Sequence, residues 1–420
     1  MGNQTGSFVA RARGAQAAMR GAFEPTPLQR NAYLSARYGA DVWLKREDLS
    51  PVRSYKIRGA FNAMRKADAA LYVCASAGNH AQGVAWNCAR SGAEGTIFMP
   101  VTTPRQKIDK TLAFGQGRVR VELTGDYYDQ SQRAARAYAV EAGAHFLSPF
   151  DDADVIEGQA SVALEAADQM EAAGEGPADL VVLPVGGGGL AAGMRRALAA
   201  LWPGAALRLV EPSGGASLAA ALVAGAPVDL PRVDGFVDGA AVGRVGERTF
   251  AALGDLAPSQ VIAAPEDRIC VTMLEMLQVE GIVLEPAGAL AIDALRDLAA
   301  RGEIEGRRVV CVTSGGNFDF ERLAEVRERA ARFAGLKKYF VLRLPQRPGA
   351  LREFLDLLGP GDDIARFEYL KKSARNFGTV LIGIEASAPG DFAALLRRVA
   401  AAGYEMRDIT GDESLAQLLV

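Results

Sequence analysis

The residues of this chain that could do chemistry are one lysine and three glycine-bearing turns. The lysine lies in Ser54-Tyr55-Lys56-Ile57-Arg58-Gly59-Ala60 and opens a helix-like stretch with Ile57, Ala60, Phe61 and Met64 on one face. At a helix N-terminus the positive dipole end disfavours an ammonium, which lowers the lysine pKa from its free value of about 10.4. A neutral amine is what Schiff-base chemistry needs. Taken alone, a lysine is more often a solvated surface charge. The first turn, Ser76-Ala77-Gly78-Asn79-His80, directly follows the apolar run Leu71–Ala75. A glycine turn between strand and helix gathers backbone N–H groups into a nest for carboxylate or phosphate, although an ordinary connection looks the same. The second turn, Gly186-Gly187-Gly188-Gly189-Leu190, has a buried strand before it and a helix after it, so it reads as a phosphate cradle rather than a linker. It lacks the Lys-Ser/Thr of a P-loop and the spacing of G-x-G-x-x-G, which weakens nucleotide readings. The third turn, Thr313-Ser314-Gly315-Gly316-Asn317, again follows an apolar run.

In parallel sheets ligands bind at the carboxyl ends of strands. The elements around the turns have the alternation that such sheets require. Strand patterns cover Asp41–Lys45, Leu71–Cys74, Gly95–Met99, Arg118–Leu123, Asp179–Val185, Ala206–Glu211 and Arg308–Thr313. Helical patterns at His80–Ser91, Asp126–Ala142 and Leu190–Leu201 lie between them, which argues for α/β units. Near Ala334 the register changes. Strand patterns at Lys338–Leu344, Ile364–Lys371, Thr379–Glu385 and Glu405–Ile409, with helices at Pro348–Leu358 and Asp391–Ala402, spell a βαββαβ unit. The charged stretch Glu321–Arg332 reads as a connecting helix. The expected organisation is a catalytic domain over 1–320 with a smaller subdomain nested at about 50–145, a connecting helix over 321–335, and a small α+β domain over 336–420.

Composition narrows the chemistry further. A length of 420 residues predicts two or three domains, and a net charge of −3 suggests no polyanion partner, since nucleic-acid binding would want a basic face. Two histidines, His80 and His145, leave almost no material for a histidine-ligated metal or a hydrolase triad. The four cysteines form no C-x-x-C and read as buried thiols of a reducing compartment. No apolar run has the length of a membrane span. The first 23 residues hold three arginines and no acid; an opening helix is the preferred reading over a transit peptide.

With these residues in view, the chain resembles biosynthetic threonine dehydratases (threonine deaminases) of the tryptophan-synthase-β-like, fold-type-II group of pyridoxal-phosphate enzymes. The motif around Lys56, the Ser76–His80 turn, the Gly186–Gly189 turn and Ser314-Gly315-Gly316-Asn317 carry the resemblance. Thr26-Pro27-Leu28, Lys45-Arg46-Glu47-Asp48 and Glu285-Pro286-Ala287-Gly288-Ala289 also match. The resemblance runs from about Glu24 to the end, and the motifs are specific in combination rather than singly. It implies two open, mostly parallel sheet subdomains and a C-terminal α+β ACT-like domain, as in short forms with one such domain.

The resemblance also implies roles. Lys56 is the Schiff-base lysine, Asn79 bonds the cofactor's phenolic oxygen, and Gly186, Gly187, Gly188, Gly189 and Leu190 hold the phosphate. Ser314 faces the pyridine nitrogen, and Ser76, Ala77, Gly78, Asn79 and His80 take the substrate carboxylate. A serine cannot keep a proton on that nitrogen as an aspartate would. The weaker electron sink favours prompt loss of a β-hydroxyl over transamination. Once displaced by substrate, the Lys56 amine takes the α-proton, and threonine ends as 2-oxobutanoate and ammonia. Racemases of the group carry a serine where this chain has Ala77, which cannot donate a proton. Some relatives bind a metal near the segment matching Glu211-Pro212-Ser213; no second carboxylate is adjacent here, and no metal is expected. Arg347-Pro348-Gly349-Ala350-Leu351 sits where ACT-like domains bind amino acids, with isoleucine the expected effector; a plain oligomerisation module is the other reading. The expected protein is a cytoplasmic homo-oligomer, dimer or tetramer, without nucleic-acid or membrane partners. A lyase for serine or 3-hydroxyaspartate, or a non-catalytic amino-acid sensor, are the competing functions.

Overall fold

The computed structural model describes residues 2–370 and 376–412. Contacts divide the chain into two compact units, one up to Phe318 and one from Asp319.

The first unit holds two sheets. The larger has the strand order Leu28–Arg30, Asp41–Arg46, Arg308–Thr313, Leu180–Pro184, Ala206–Pro212, Val261–Ala264. All neighbours are parallel apart from the edge pair of Leu28–Arg30 with Asp41–Arg46. The smaller sheet, wholly parallel, has the order Val119–Leu123, Glu94–Met99, Leu71–Ala75, His145–Phe146. Central strands such as Leu180–Pro184 are buried at every position, which is why they read as unbroken apolar runs. These are the α/β units that the alternation predicted, arranged in the two mostly parallel sheets that the family resemblance implied. The strands Leu28–Arg30 and His145–Phe146 escaped the sequence reading because three and two residues are too few to show a period.

Helices cover the sheets through apolar stripes. The opening helix, Gly2–Arg20, buries Phe8, Ala12, Ala15 and Met19, spaced four, three and four apart. The helix Lys56–Ala67 buries Ile57, Ala60 and Met64 and ends where Asp68 turns left-handed, at φ 46°. It crosses the helix Ala153–Gln159 so closely that a Cβ on Gly59 would lie 2.4 Å from the Gln159 amide, and one on Gly158 would lie 2.6 Å from the Arg58 carbonyl. Only glycine fits on either side of that crossing. Among the described residues, no helix is long and apolar enough to cross a membrane.

The second unit has an antiparallel sheet ordered Asp363–Leu370, Phe377–Glu385, Lys337–Pro345, Glu405–Asp408. The helices Ala350–Leu355 and Asp391–Ala401 bury Phe354, Phe392, Leu395 and Val399 in a core with Phe340, Leu342 and Ile382. The helix expected over Pro348–Leu358 is shorter, because Gly349 turns left-handed before it at φ 84° and Gly359-Pro360 follows soon after. Lys371, expected to end a strand, and residues 413–420 of the expected C-terminal domain lie outside the described residues. The helix Leu323–Phe333 groups with this unit.

Candidate active site

Each of the three turns follows the carboxyl end of a parallel strand: Leu71–Ala75, Leu180–Pro184 and Arg308–Thr313. Lys56 is the first residue of its helix and is partly buried. Its Nζ donates to the Pro149 carbonyl at 2.8 Å and lies 6.0 Å from the Phe150 ring centre. Burial lowers the Lys56 amine to about 8, opposed by the Glu285 carboxylate. The helix terminus is where the sequence reading placed it, and burial lowers the amine as well. The Tyr55 N–H donates to the Ser314 carbonyl at 3.1 Å, and Ser54 bridges to Gly315, so the lysine turn and the Ser314 loop lie against each other.

The same Phe150 packs on the glycine turn. A Cβ on Gly187 would fall 2.2 Å from its ring, and one on Gly189 would fall 3.0 Å from its backbone. Gly188 caps the following helix, Gly189–Leu201, with φ 90°, a backbone that side chains avoid. Gly187, Gly188, Gly189 and Leu190 are buried, yet among the described residues their N–H groups, and that of Gly186, donate to no protein acceptor. Buried donors ordinarily find partners, so this cradle fits an anion held by backbone and helix dipole. The side chain of Leu190 packs in the core and leaves its N–H as the group that could serve the cradle.

Asn79 starts the helix Asn79–Ser91. Its Nδ2 donates to Glu285 Oε1 at 2.7 Å, and its Oδ1 accepts from Asn317 Nδ2 at 2.6 Å. Asn317 Oδ1 in turn accepts from Lys110 Nζ at 2.5 Å. The amide is thereby oriented, with one Nδ2 hydrogen left over. Burial and the like charge of Asp238 push Glu285 up to about 7. His80 Nε2 lies 3.2 Å from the Leu147 carbonyl, and burial beside the Lys56 charge pushes the imidazole down to about 3, so it is neutral at ordinary pH. In the Ser76–His80 turn, the N–H groups of Ala77, Asn79 and His80 have no protein acceptor among the described residues. Ser314 is buried, and its hydroxyl donates to the Ala287 carbonyl at 3.2 Å.

Behind Lys56 the remaining motifs close into a buried ionic cluster. Arg58 Nε donates to Glu47 Oε2 at 2.7 Å, and its two terminal nitrogens reach Glu165, Glu47, Thr26 and Ser161. Lys45 Nζ donates to Glu165 at 2.9 Å and to the Thr26 carbonyl at 2.5 Å. Burial opposes the Arg58 charge, but Glu165 and Glu47 more than offset it, and Glu165 is held down at about 2 against its own burial.

Pro149, Phe150, Glu165 and Lys110 were not singled out from sequence, and Glu285 was quoted only within a motif. A glutamate opening a helix at Pro286 is the one signal that pointed to Glu285. Glu211 accepts from the Leu218 and Ala219 N–H groups at 2.7 and 2.9 Å, and burial pushes it up to about 7. Among the described residues no group of three or more His, Cys, Asp and Glu could hold a metal. In the second unit Arg347 pairs with Glu353 at 2.6 Å, beside a pocket of about 510 Å³ lined by Leu344, Arg347, Leu351, Arg352 and Leu355.

Comparison with known proteins agrees with this geometry. Residues 19–315 match the family described as pyridoxal-phosphate dependent enzyme, and residues 328–419 match the C-terminal regulatory domain of threonine dehydratase. The L-threonine dehydratase biosynthetic IlvA of Bacillus subtilis is 44% identical over 94% of this chain and 93% of its own length. The protein of the same name from Mycobacterium bovis is 47% identical over 90% of this chain and 88% of its own. Among solved structures, processed threonine deaminase isoform 2 of Solanum lycopersicum superposes with a TM-score of 0.73 at 34% identity, covering 79% of this chain and 89% of that one. The chain belongs to the threonine dehydratases, within the pyridoxal-phosphate dependent enzyme family.

Proposed function

We infer that this protein deaminates L-threonine to 2-oxobutanoate and ammonia by loss of the β-hydroxyl as water, a water being taken up again when the resulting imine hydrolyses, with pyridoxal 5'-phosphate as cofactor, as the first step of isoleucine synthesis. The observation that carries the reading is a lysine lowered by burial beside a buried glycine turn whose N–H groups lack protein partners among the described residues. Similarity to threonine dehydratases along nearly the whole chain supports the substrate. Gly186 to Gly189, with the Leu190 N–H, would hold the phosphate; Lys56 would hold the aldehyde carbon; Asn79 and Ser314 would meet the ring's oxygen and nitrogen. When bound, the cofactor supplies the electron sink for the pair left at the substrate's α-carbon.

The chain's own groups do the rest. The free N–H groups of the Ser76–His80 turn bind and orient the substrate carboxylate. Lys56, half neutral near pH 8, is an amine fit to take the α-proton. Ser314, whose hydroxyl donates to the Ala287 carbonyl, would turn that hydrogen to the ring nitrogen and offer it a hydrogen bond rather than a proton. Ala77 offers no acid on the opposite face, so the abstracted proton is not replaced there and elimination outcompetes racemisation.

The regulatory pocket of the second unit joins arginines to leucines, a match for the carboxylate and branched side chain of isoleucine, the end product. Isoleucine inhibits if it binds two states of the enzyme unequally. A cytoplasmic location is in keeping with four buried free thiols, and the protein is proposed to be a homo-oligomer, dimer or tetramer.

The test is 2-oxobutanoate release from threonine, with and without isoleucine. Threonine should give the highest kcat/KM, isoleucine should lower the rate, and Lys56→Ala should abolish both turnover and the visible cofactor band. A much higher kcat/KM for serine or 3-hydroxyaspartate would overturn the substrate, and a colourless wild-type protein would overturn the chemistry.

A further inference from the structure

The glycine turn is held in shape by residues outside every motif of the sequence. Thr249 is buried on the helix Glu247–Leu253. Its hydroxyl lies 2.8 Å from the Gly187 carbonyl and 2.9 Å from that of Gly246. The Gly246 N–H also reaches the Gly187 carbonyl, at 3.4 Å. A Cβ on Gly188 would lie 2.9 Å from the Thr249 Cβ, so the turn rests directly on this residue. A peptide group is planar and trans, with C=O and N–H pointing in opposite directions. Holding the Gly187 carbonyl toward Thr249 therefore aims the Gly188 N–H the other way, where among the described residues no protein group accepts it.

Thr249 is itself seated by Asp151. That carboxylate accepts the N–H groups of Glu247, Arg248 and Thr249 at 3.2, 2.8 and 3.2 Å. Asp151 follows Phe150, which packs on Gly187 and Gly189, and Pro149, whose carbonyl takes the Lys56 amine. One short segment thus fixes the lysine, the glycine turn and the threonine behind it in a common frame.

We propose that Thr249 is a positioning residue for the phosphate of the cofactor: its hydroxyl holds the Gly187–Gly188 peptide so that the Gly188 N–H faces the anion, and Asp151 holds Thr249 in place. The proposal rests on the pyridoxal-phosphate reading and assigns a role outside its motifs. Its signature is selective. Loss of the hydroxyl should weaken ligands that carry the phosphate and spare those that do not.

The experiment titrates the full-length apoenzyme with pyridoxal 5'-phosphate and with phosphate-free pyridoxal, following the visible band. Thr249→Val should weaken pyridoxal phosphate about tenfold, the scale of one hydrogen bond to a buried group, and change pyridoxal by less than about twofold. Thr249→Ser, which keeps the hydroxyl, should bind pyridoxal phosphate within about twofold of wild type. Asp151→Ala, which leaves Thr249 intact but frees the turn beneath it, should show the same selective loss at about threefold. Equal losses for both ligands, no loss in Thr249→Val, or a serine variant as weak as the valine one would each overturn the proposal. A wild-type apoenzyme that forms no band with pyridoxal phosphate would instead remove the cofactor reading, and the proposal with it.

Discussion

Two charged clusters flank Lys56, and they are built on opposite terms. The rear cluster sets Arg58 and Lys45 against Glu47 and Glu165, all four fully buried and hydrogen-bonded to one another and to Thr26. Its two buried cations pair with its two carboxylates, Arg20 adds a partly exposed contact to Glu165, and Glu165 is held down at about 2. The front cluster sets buried Glu285 against an amide, Asn79, with Asp238 adding like charge from nearby and Lys107 and Lys110 only partly offsetting it, and Glu285 is pushed up to about 7. A carboxylate held down at about 2 does not change protonation in the working range, so Glu165 and the cations on it serve as an anchor. An under-compensated one can, and that is the usual condition of a site that does chemistry.

Breaking the anchor should have the largest effect. Arg58→Met leaves Glu47 and Glu165 in the interior with Lys45 as the one fully buried cation between them and Arg20, partly exposed, still paired with Glu165. Uncompensated buried charge of this kind costs about 3–5 kcal/mol. Denaturant unfolding of the apoprotein should show a loss of that size. A loss below about 1 kcal/mol would mean that the rear cluster is no anchor and the contrast is false. The pH dependence has a definite sign. Glu165 is depressed in the folded state, so its contribution is present above its unfolded value near 4.3 and is lost as pH falls toward about 2. The anchor should therefore hold through the neutral range and fail only in acid.

The front cluster should behave inversely. Glu285 is raised by folding, so the native state binds the extra proton between about 4.3 and 7, and stability falls as pH rises through that window. Glu285→Gln keeps an oxygen for Asn79 and removes the charge. The variant should match wild type below about pH 4 and exceed it above pH 7 by at most about 4 kcal/mol, an upper limit taken from the shift itself. Unfolding midpoints at several pH values measure this. If the variant were less stable at pH 8, Glu285 would be compensated after all and the two clusters would be alike.

The contrast also separates what sequence could show from what it could not. Strands such as Leu180–Pro184 and Arg308–Thr313 are buried along their length, and the turns after them must bend sharply, so apolar runs ending in glycine marked both sheet and site. Lys56 and the turns were legible because each chemistry-bearing residue sits inside a local pattern. The partners were not. Glu165 meets Arg58 across 107 positions, Thr249 meets Gly187 across 62, and Lys110 meets Asn317 across 207. On the helix Ser161–Ala172, Glu165 looks like any helical acid; only the fold turns it inward. Phe150 likewise reads as a loop aromatic until the glycine turn is laid against it. The burial that lowers Lys56 was out of view for the same reason, since a helix start is visible in sequence and burial is not.

Lys56 stands between the clusters and gives the smallest but most direct readout of the difference. Burial lowers its amine to about 8, and Glu285 resists that lowering. The neutral amine is the nucleophile toward an aldehyde. Reconstitution of the apoenzyme with excess pyridoxal phosphate should therefore speed up about tenfold between pH 7 and 9, with a midpoint near 8, as the neutral fraction rises. His80, neutral down to about 3, contributes no inflection in that interval. Removing the front carboxylate in Glu285→Gln takes away the charge that favours the ammonium, so the midpoint should move below that of wild type. Arg58→Met changes charge only in the rear cluster and should leave the midpoint close to 8 in the folded fraction. Stopped-flow measurement of the visible band across this range, on all three proteins, decides it. If the rear variant moved the midpoint and the front variant did not, the electrostatics of Lys56 would belong to the anchor, and the division of labour between the clusters would be reversed.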